Sequence, residues 1–356
     1  MPVESASVAD RLLKHYDRHA RRLPWRAPPG ANATDPYRVW LSEVMLQQTT
    51  VAAVIPYFEA FTARWPTVAD LAAADDADLM TAWAGLGYYA RARNLLACAR
   101  AVMDDWGGQF PSTEAELRTL PGIGAYTAAA IAAIAFGQRA VVIDANVERV
   151  VARLFAIATP LPAARAEIGL RADGITPATR SGDFAQAMMD LGATICTSRN
   201  PACGICPLRK GCAAFATADP ATFPVKAAKK AKPQRTGHVW WIIRDDAVWL
   251  ERRPGKGLLG GMRGLPTSDW VTAPGPTARP TPPVQAQWQT LPTPVSHVFT
   301  HFALSLTVHI GTSESDCSVS TDGEWWPLAA ITKAGLPTLF AKVADAVMKR
   351  EDALCR

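Results

Sequence analysis

The chain has 356 residues, of which 49% are hydrophobic and 19% are charged, and its formal net charge is +5. This composition can bury enough apolar surface to offset chain entropy, so disorder is excluded, and the length predicts two domains. No run of about 18 apolar residues occurs and residues 1–10 lack an apolar segment, so we expect neither a membrane span nor a secretory signal.

Up to residue 215, apolar residues recur at helical spacing. Asp35 followed by Pro36 provides an N-cap and a first-turn proline for a helix over 37–49. Further helices, separated by proline or glycine, are predicted at 8–19, 51–63, 68–73, 76–84, 88–105, 113–119, 124–135, 145–156, 163–172 and 181–192. The sequence therefore predicts an all-α unit.

Beyond residue 236 the spacing changes from helical to alternating. Segments 239–243, 247–250 and 303–310 are predicted strands, with residues 244–246 as the first turn. Residues 271–283 contain five prolines and are predicted to be a loop, and 338–349 a closing helix. The second unit is therefore expected to be α+β.

Net charge is unevenly distributed along the chain: +1 over 1–215, +4 over 216–236 and 0 over 237–356. The basic segment lacks large apolar residues after Val225, so we interpret 219–236 as a linker. It is either a solvated tether or a contact along a phosphate backbone. We expect one domain over 1–218 and a second domain over 237–356. The first domain is expected to have a six-helix part at about 27–138, and a part formed by the terminal helix and the cluster loop at about 1–26 and 139–218.

Four of the seven cysteines lie within 17 residues, at the spacing C-x6-C-x2-C-x5-C: Cys196, Cys203, Cys206 and Cys212. Structural zinc sites usually present two close ligand pairs, whereas this run has a single C-x-x-C, so one 4Fe-4S cluster is favoured over zinc. Disulfides are a weaker alternative, because the count is odd and no export signal is present. Cys98, Cys317 and Cys355 are isolated in sequence.

Two acidic residues and one turn are candidates for a reaction site. Glu43 has apolar neighbours within its helix, which would raise its pKa and suit a proton donor, although an exposed helical glutamate is the common alternative. Asp144 opens a helix and could be only an N-cap. Gly122 and Gly124 form a turn between helices whose N–H groups could face an anion, or which could serve packing alone.

Together these elements resemble the helix-hairpin-helix DNA glycosylases with an iron–sulfur loop, and among them the adenine DNA glycosylases of the MutY type. The matching segments, beside Asp144 and the four clustered cysteines, are Leu23-Pro-Trp-Arg26, Trp40-Leu-Ser-Glu-Val-Met-Leu-Gln-Gln-Thr49, Gly85-Leu-Gly-Tyr-Tyr-Ala-Arg-Ala-Arg-Asn94, the hairpin 120–128 and Gln186-Ala-Met-Met-Asp-Leu-Gly-Ala193. The resemblance covers residues 8–215 almost continuously.

The resemblance implies a role for each matching residue. Glu43 would protonate the purine and ionised Asp144 would stabilise or capture the sugar cation, with Tyr126 and Asn146 completing the catalytic set. The implied DNA and adenine contacts are Trp25, Arg26, Gln48, Thr49, Leu86, Tyr88, Arg91, Gly122, Gly124, Gln186 and Asp190. Ordinary alternatives exist, since Trp25 and Tyr88 could be core residues and Arg26 or Asp190 part of a surface ion pair. Attraction to DNA is assigned to Arg91, Arg93, Arg199, Arg209 and Lys210.

Position 126 separates two related reactions. In endonuclease III, the bifunctional relative, the corresponding position carries a lysine that attacks the sugar. Here it is Tyr126, and no lysine occurs between Lys14 and Lys210. We therefore expect a monofunctional glycosylase.

The second unit resembles the Nudix-like lesion-reading domain of the same family, through 257–266 and Val298-Phe-Thr-His-Phe302. The implied 8-oxoguanine readers are Phe299, Thr300 and His301, where Thr300 replaces the family's serine. A packed strand residue is the alternative for His301. The glutamates that a magnesium-dependent Nudix hydrolase needs are scattered, at 251, 314, 324 and 351, so pyrophosphatase activity is not expected.

The sequence thus predicts an enzyme of base excision repair that removes adenine opposite 8-oxoguanine or guanine. Its partner would be double-stranded DNA, and we expect a cytoplasmic, nucleoid-associated monomer without membrane contact. Two alternatives stay open: a pyrimidine-lesion glycosylase/lyase like endonuclease III, and a non-catalytic DNA-binding iron–sulfur protein.

Overall fold

The computed structural model describes residues 5–31, 34–227, 232–254, 258–272, 281–313 and 323–354. The chain forms two compact units, Met1–Ala228 and Lys229–Arg356, with separate hydrophobic cores. Their boundary falls inside the basic segment. Among the described helices, none combines the length and the apolar character that a membrane span requires.

The first unit is helical. Its helices are α1 (Ser5–His19), α2 (Pro36–Leu46), α3 (Val51–Arg64), α4 (Val68–Ala72), α5 (Asp76–Trp83), α6 (Ala90–Trp106), α7 (Glu114–Leu117), α8 (Ala125–Phe136), α9 (Ala145–Leu154), α10 (Arg165–Ile175), α11 (Ser181–Thr194) and α12 (Ala213–Thr217). The predicted helices are confirmed, but several bounds differ; α10, for example, was expected at 163–172 and spans Arg165–Ile175. The helix expected at 37–49 ends at Leu46 and the one expected at 88–105 begins at Ala90, because Gln48 and Tyr88 adopt φ of +58° and +49°.

Local sequence explains how the central helices begin. Asp35 caps α2 by accepting the Tyr37 N–H at 2.9 Å, and Pro36 occupies the first turn as predicted. Gly124 precedes α8, which is apolar around most of its circumference and is almost wholly buried. The central helix α8 packs against α2, α7 and α11, so residues at its N-terminus are fixed relative to α2.

The close approach of α8 and α11 depends on a glycine. A Cβ atom at Gly182 would lie 2.5 Å from the Ala133 carbonyl oxygen and 2.9 Å from the Ile134 Cα. Both are backbone atoms that cannot move aside without shifting the helix. The spacing of the two helices therefore requires the absence of a side chain at position 182.

The second unit is a mixed sheet with a helix. Its elements are β1 (Gln234–Arg244), β2 (Ala247–Arg252), β3 (Arg263–Gly264), β4 (Val271–Thr272), β5 (Gln289–Thr290), β6 (Val295–Val298), β7 (Ala303–Thr312), β8 (Gly323–Pro327) and α13 (Thr338–Leu354). The main strand order is β3-β2-β1-β7-β5. β1 and β7 are parallel, with Gln234 opposite Ala303, and the other pairs are antiparallel.

The predicted strands and closing helix are confirmed, and the α+β class with them. β4 occupies the first two residues of the predicted proline-rich loop, and 273–280 lie outside the described residues. Valines and leucines from one sheet face pack with α13, while Trp240 and Trp249 lie in a smaller cluster on the other face. Both faces of the sheet are therefore covered in part.

Replacing Gly182 by Ala should lower the free energy of unfolding by about 1–3 kcal/mol, because the new methyl group overpacks the α8–α11 contact. Gly169, within α10, is the matched control, since a Cβ there meets nothing within 4 Å. Its replacement by Ala should raise the free energy of unfolding by roughly 0.5–1 kcal/mol. Denaturant unfolding of both variants checks this, and equal effects would contradict it.

Candidate active site

Glu43 is a buried carboxyl group facing an open cleft. Its side chain projects from α2, only 7% of the residue is exposed, and the Tyr126 hydroxyl donates to Oε2 at 2.7 Å. Burial raises the pKa of Glu43, the charge of Asp144 raises it further, and the Tyr126 hydrogen bond and Arg26 oppose these effects. The exposed-glutamate alternative was wrong, so this carboxyl is suited to holding a proton at neutral pH.

Asp144 lines the same cleft in a different environment. It caps α9, with Oδ1 accepting the Val147 N–H at 2.7 Å and Oδ2 accepting the Asn146 side-chain N–H at 2.8 Å. A helix N-terminus favours negative charge beside it. The structural and the functional interpretation of Asp144 are therefore compatible, because the cap itself orients the carboxylate.

The cleft has a volume of about 760 Å³. It brings together residues that are far apart in sequence, and the expected ones among its lining are Trp25, Arg26, Glu43, Gln48, Thr49, Gly122, Gly124, Tyr126, Asp144, Asn146 and Gln186. Trp25 is 4% exposed and packs on Phe58, so it is at once a core residue and a wall of the cleft. Four expected residues are absent from this lining: Leu86, Tyr88, Arg91 and Asp190.

Asp190 does not line the cleft but binds Arg26, which does. Its carboxylate accepts two hydrogen bonds from Arg26 Nη1, at 2.9 and 2.8 Å, and others from the Arg21 side chain and backbone N–H. Arg26 and Asp190 side chains are 8% and 9% exposed, so the ion pair is buried and not at the surface. Arg21 also lines the cleft, and sequence reasoning missed it because nothing distinguishes it from Arg22 in the sequence.

Two short loops carry the expected helix-probing residues, the 47–50 loop between α2 and α3 and the 84–89 loop between α5 and α6. Gln48 is exposed and Tyr88 is 63% exposed, so Tyr88 is not a core residue. Both have left-handed backbone conformations, which are uncommon for residues other than glycine. The two loops therefore present polar and aromatic side chains to the outside.

The structure contradicts the expectation that Arg91 meets DNA phosphates. Its guanidinium is buried and donates to five protein oxygens, so it has little capacity left for an external anion. Leu86 is likewise 6% exposed, and its N–H and carbonyl both bond within the unit. Thr49 donates to Gln47 and accepts from Arg91, which places it inside the 47–50 loop.

The four clustered cysteines line one small cavity beside α9 and α12, and all four are free thiols. Burial, and after it the charges of the other three cysteines, raise the pKa of the Cys206 thiol to about 11. In the part of the chain that the structure describes, no three His, Cys, Asp or Glu side chains are close enough to hold a single ion. Four thiols that line one cavity form the donor set that a 4Fe-4S cluster takes.

Two arginines on α9, which sequence reasoning did not single out, hold the cysteine loop. Arg153 is 1% exposed and donates to the Cys196 sulfur at 3.3 Å and to the carbonyls of Cys196 and Thr197. Arg149 donates to the Cys196 carbonyl at 2.8 Å and to Asn146 Oδ1 at 2.9 Å. Since Asn146 donates to Asp144, one hydrogen-bonded path joins the cysteine loop to the cleft.

The remaining basic residues expected to attract DNA are exposed, and part of the basic linker lies outside the described residues. Arg93, Arg199, Arg209 and Lys210 are exposed, as their expected role requires. In the linker, the Lys232 ammonium donates to the Phe299 carbonyl at 2.6 Å, while the linker residues 228–231 lie outside the described residues. Of the three isolated cysteines, Cys98 is buried, and Cys317 and Cys355 lie outside the described residues.

The expected lesion readers lie at the turn between β6 and β7. The Phe299 N–H donates to the Phe302 carbonyl at 2.8 Å and closes the turn, and Phe299 stacks on Trp270. Thr300 and His301 are exposed at its tip, so the alternative of a packed strand histidine was wrong. Gly257, the first residue of the other matching segment, lies outside the described residues.

Three family descriptions match the chain. Residues 41–169 match the HhH-GPD superfamily of base excision DNA repair proteins, 196–212 the iron–sulfur binding domain of endonuclease III and 238–346 the NUDIX domain. The chain is also similar to a solved thermostable thymine-DNA glycosylase, with 28% identity and a TM-score of 0.53, over 60% of this chain and 97% of that one.

Individual relatives agree with these matches. An adenine DNA glycosylase of Buchnera aphidicola subsp. Acyrthosiphon pisum is 38% identical over 68% of this chain and 68% of its own. That of Homo sapiens is 47% identical over 57% of this chain, but the match spans only 38% of the human protein. Matches to the mouse and rat proteins span 41% and 40% of their lengths.

The chain therefore belongs to the adenine DNA glycosylase family. Its four clustered cysteines are the ligands of a 4Fe-4S cluster, as the cysteine spacing predicts. When bound, the cluster cross-links the 196–212 loop through its thiolates, and Arg153 and Arg149 attach that loop to α9.

Replacing Glu43 by Gln should stabilise the fold at neutral and alkaline pH. Because the pKa of Glu43 is raised on folding from its ordinary value near 4.5, wild-type stability falls as pH rises above that value. The glutamine variant escapes this loss, so its unfolding free energy should exceed that of wild type by about 1–3 kcal/mol near pH 8 and by little near pH 5. Denaturant unfolding of the holoprotein at both pH values measures the difference.

The matched control is Glu59→Gln, at an exposed position on α3. It should leave stability unchanged at both pH values. A Glu43 variant that is no more stable than wild type near pH 8 would show that the buried carboxylate is not costly.

Proposed function

We propose that this chain is a monofunctional DNA glycosylase that removes adenine mispaired with 8-oxoguanine or guanine in double-stranded DNA. The observation that supports this best is the pairing of Glu43 and Asp144 in one cleft, with different surroundings. Cleavage of an N-glycosidic bond needs a protonated leaving base and a partner for the cationic sugar. A buried acid and a carboxylate at a helix N-terminus meet these two needs.

In the proposed reaction, protonated Glu43 donates its proton to a ring nitrogen of the flipped adenine. The C1′–N9 bond breaks and its electron pair leaves with the base. Asp144 stabilises the resulting sugar cation, or binds it transiently, until water attacks at C1′ and loses a proton. The Tyr126 hydroxyl donates to Glu43 and the Asn146 amide donates to Asp144, so each carboxyl group is held by its own donor.

The adenine must leave the base stack before this can happen, at a cost of a few kcal/mol that is lowest at a mispair. Gln186 is 6% exposed, lines the cleft and makes no side-chain hydrogen bond within the described protein, so its amide is available to a base edge. Arg26 is placed beside it by Asp190. Gln48 and Tyr88, on exposed loops, are proposed to enter the gap beside the lesion.

The proposed absence of lyase activity rests on Tyr126. A tyrosine hydroxyl cannot form the Schiff base that a lysine amine forms. No lysine lines the cleft among the described residues. Release of adenine is therefore proposed to leave an intact strand with an abasic site.

Thr300 and His301 are proposed to read 8-oxoguanine from the tip of the β6–β7 turn. Threonine keeps the hydroxyl of the family's serine, and both side chains are exposed. Phe299 supports the tip by stacking on Trp270 and on Phe302. Val298, 64% exposed beside the tip, adds an apolar surface on which a base could pack.

Incubating excess protein with duplexes containing adenine opposite 8-oxoguanine tests the proposal. Strand breaks should appear only after alkali treatment, since the product is an abasic site. Breaks without alkali, or a substantial adduct trapped by borohydride, would indicate a lyase like endonuclease III. The absence of breaks under both conditions would favour a non-catalytic DNA-binding protein, and Glu43→Gln, which should bind without excision, is the matched control.

Replacing Tyr126 by Phe should move the alkaline limb of the excision rate to higher pH. The tyrosine hydroxyl stabilises ionised Glu43, so its removal raises the pKa of Glu43 and keeps the acid protonated for about one more pH unit. Single-turnover rates across pH measure the limb. Tyr37→Phe is the control, because that hydroxyl donates to the Trp65 carbonyl, away from the cleft, and an equal shift in both variants would contradict the assignment.

A further inference from the structure

We propose that Arg91 is a positioning residue that joins the 47–50 loop and the 84–89 loop into one rigid unit, so that Gln48 and Tyr88 engage a duplex together. This inference rests on the proposed function, in which these two loops meet DNA. The sequence suggests that Arg91 binds phosphate, whereas the proposed role is to hold two loops of the protein.

The two terminal guanidinium nitrogens contact the end of α2 and both loops. Nη1 donates to the carbonyls of Val44 and Met45, at 3.1 and 2.9 Å, at the end of α2. Nη2 donates to Leu86 and Gly87 carbonyls in the 84–89 loop, at 2.9 and 3.2 Å. It also donates to Thr49 Oγ1 at 3.1 Å, so a single planar group holds both loops.

The physical reason for a cation at this position is the end of α2. The last four carbonyls of a helix lack intrahelical partners and carry partial negative charge. Val44 and Met45 lie in that last turn, and Arg91 donates to both carbonyls; the Val44 carbonyl also accepts the Gln47 N–H at 3.4 Å. No carboxylate among the described residues forms an ion pair with Arg91, so helix and loop carbonyls are its main compensation.

The loops need such support because each contains a strained residue. Gln48 and Tyr88 have φ of +58° and +49°, a left-handed conformation that is strained for residues other than glycine. The Arg91 guanidinium carbon also lies 5.7 Å from the centre of the Tyr88 ring and 5.3 Å from that of Trp83. Arg91 therefore contacts the end of α2, the Thr49 hydroxyl of one loop, the backbone of the other loop and the ring of Tyr88.

Lysine cannot perform this task. Its ammonium is a point charge with three donors, whereas the guanidinium presents a planar fork that reaches two sets of carbonyls. The geometry therefore requires the arginine itself and not just a positive charge.

Hydrogen exchange tests the joining of the loops without reference to DNA. Arg91→Met should raise amide exchange in both loops by about tenfold, because both lose their anchor together. Arg91→Lys should resemble Arg91→Met. Arg100→Met is the matched control on the same helix, since Arg100 donates to the Ala72 and Ala74 carbonyls, away from these loops, and neither loop should change in it.

A binding experiment tests the consequence. In a Glu43→Gln background, Arg91→Met should weaken binding to the mispaired duplex about tenfold, with a smaller effect on the matched duplex. When Tyr88→Ala is already present, the further loss from Arg91→Met should be less than tenfold, because part of the effect of Arg91 is exerted through Tyr88. Additive losses are expected instead if Arg91 only stabilises the fold.

Each outcome has one meaning. Exchange that rises in one loop alone, or in neither, overturns the joining of the loops, as does an Arg91→Lys protein that matches wild type. Additive losses in the binding cycle overturn the coupling to Tyr88. A wild-type protein that does not release adenine overturns the proposed function, while raised exchange in both loops would still support Arg91 as their common anchor.

Discussion

The constraint that shapes the first unit is the removal of one carboxyl group from water. Burial raises the pKa of Glu43, and this burial requires α2 to pack directly against α8. That packing places Tyr126, in the first turn of α8, against the carboxyl oxygen. The largely apolar α8 in turn depends on its close contact with α11, where position 182 has no side chain. The position of Glu43 thus depends on the packing of α2, α8 and α11 in the core.

A second consequence concerns the arginines of this unit. Arg26, Arg91, Arg149 and Arg153 all use their guanidinium groups on internal oxygens or on a buried carboxylate. Their charge therefore organises loops and does not create a broad attractive field, which agrees with a net charge of only +1 over residues 1–215. Contact with a polyanion is left to a few exposed cations near the cysteine loop, such as Arg199, Arg209 and Lys210. The buried arginines and the exposed cations therefore differ in their position in the fold and not in their charge.

Sequence patterns could predict the helices, the strands and the candidates for the cleft, because periodicity, caps and motif spacing are local properties. They could not predict which arginines are buried. Arg91 and Arg93 are two residues apart in one helix, and only tertiary packing turns the first inward and the second outward. Arg21 and Asp190 are 169 residues apart, so their ion pair leaves no local signal. The left-handed backbones of Gln48 and Tyr88 were missed for the same reason, since neither residue is a glycine.

The two carboxyl groups of the cleft lie in contrasting surroundings. Glu43 emerges from the side of a helix among apolar neighbours, with one hydroxyl donor, whereas Asp144 sits at a helix start with two N–H donors. Environments that differ in this way separate an acid from a charge stabiliser. The path from Asp144 through Asn146 and Arg149 to the cysteine loop extends this support beyond the cleft. The cysteine loop therefore supports Asn146, one of the two donors that orient the Asp144 carboxylate.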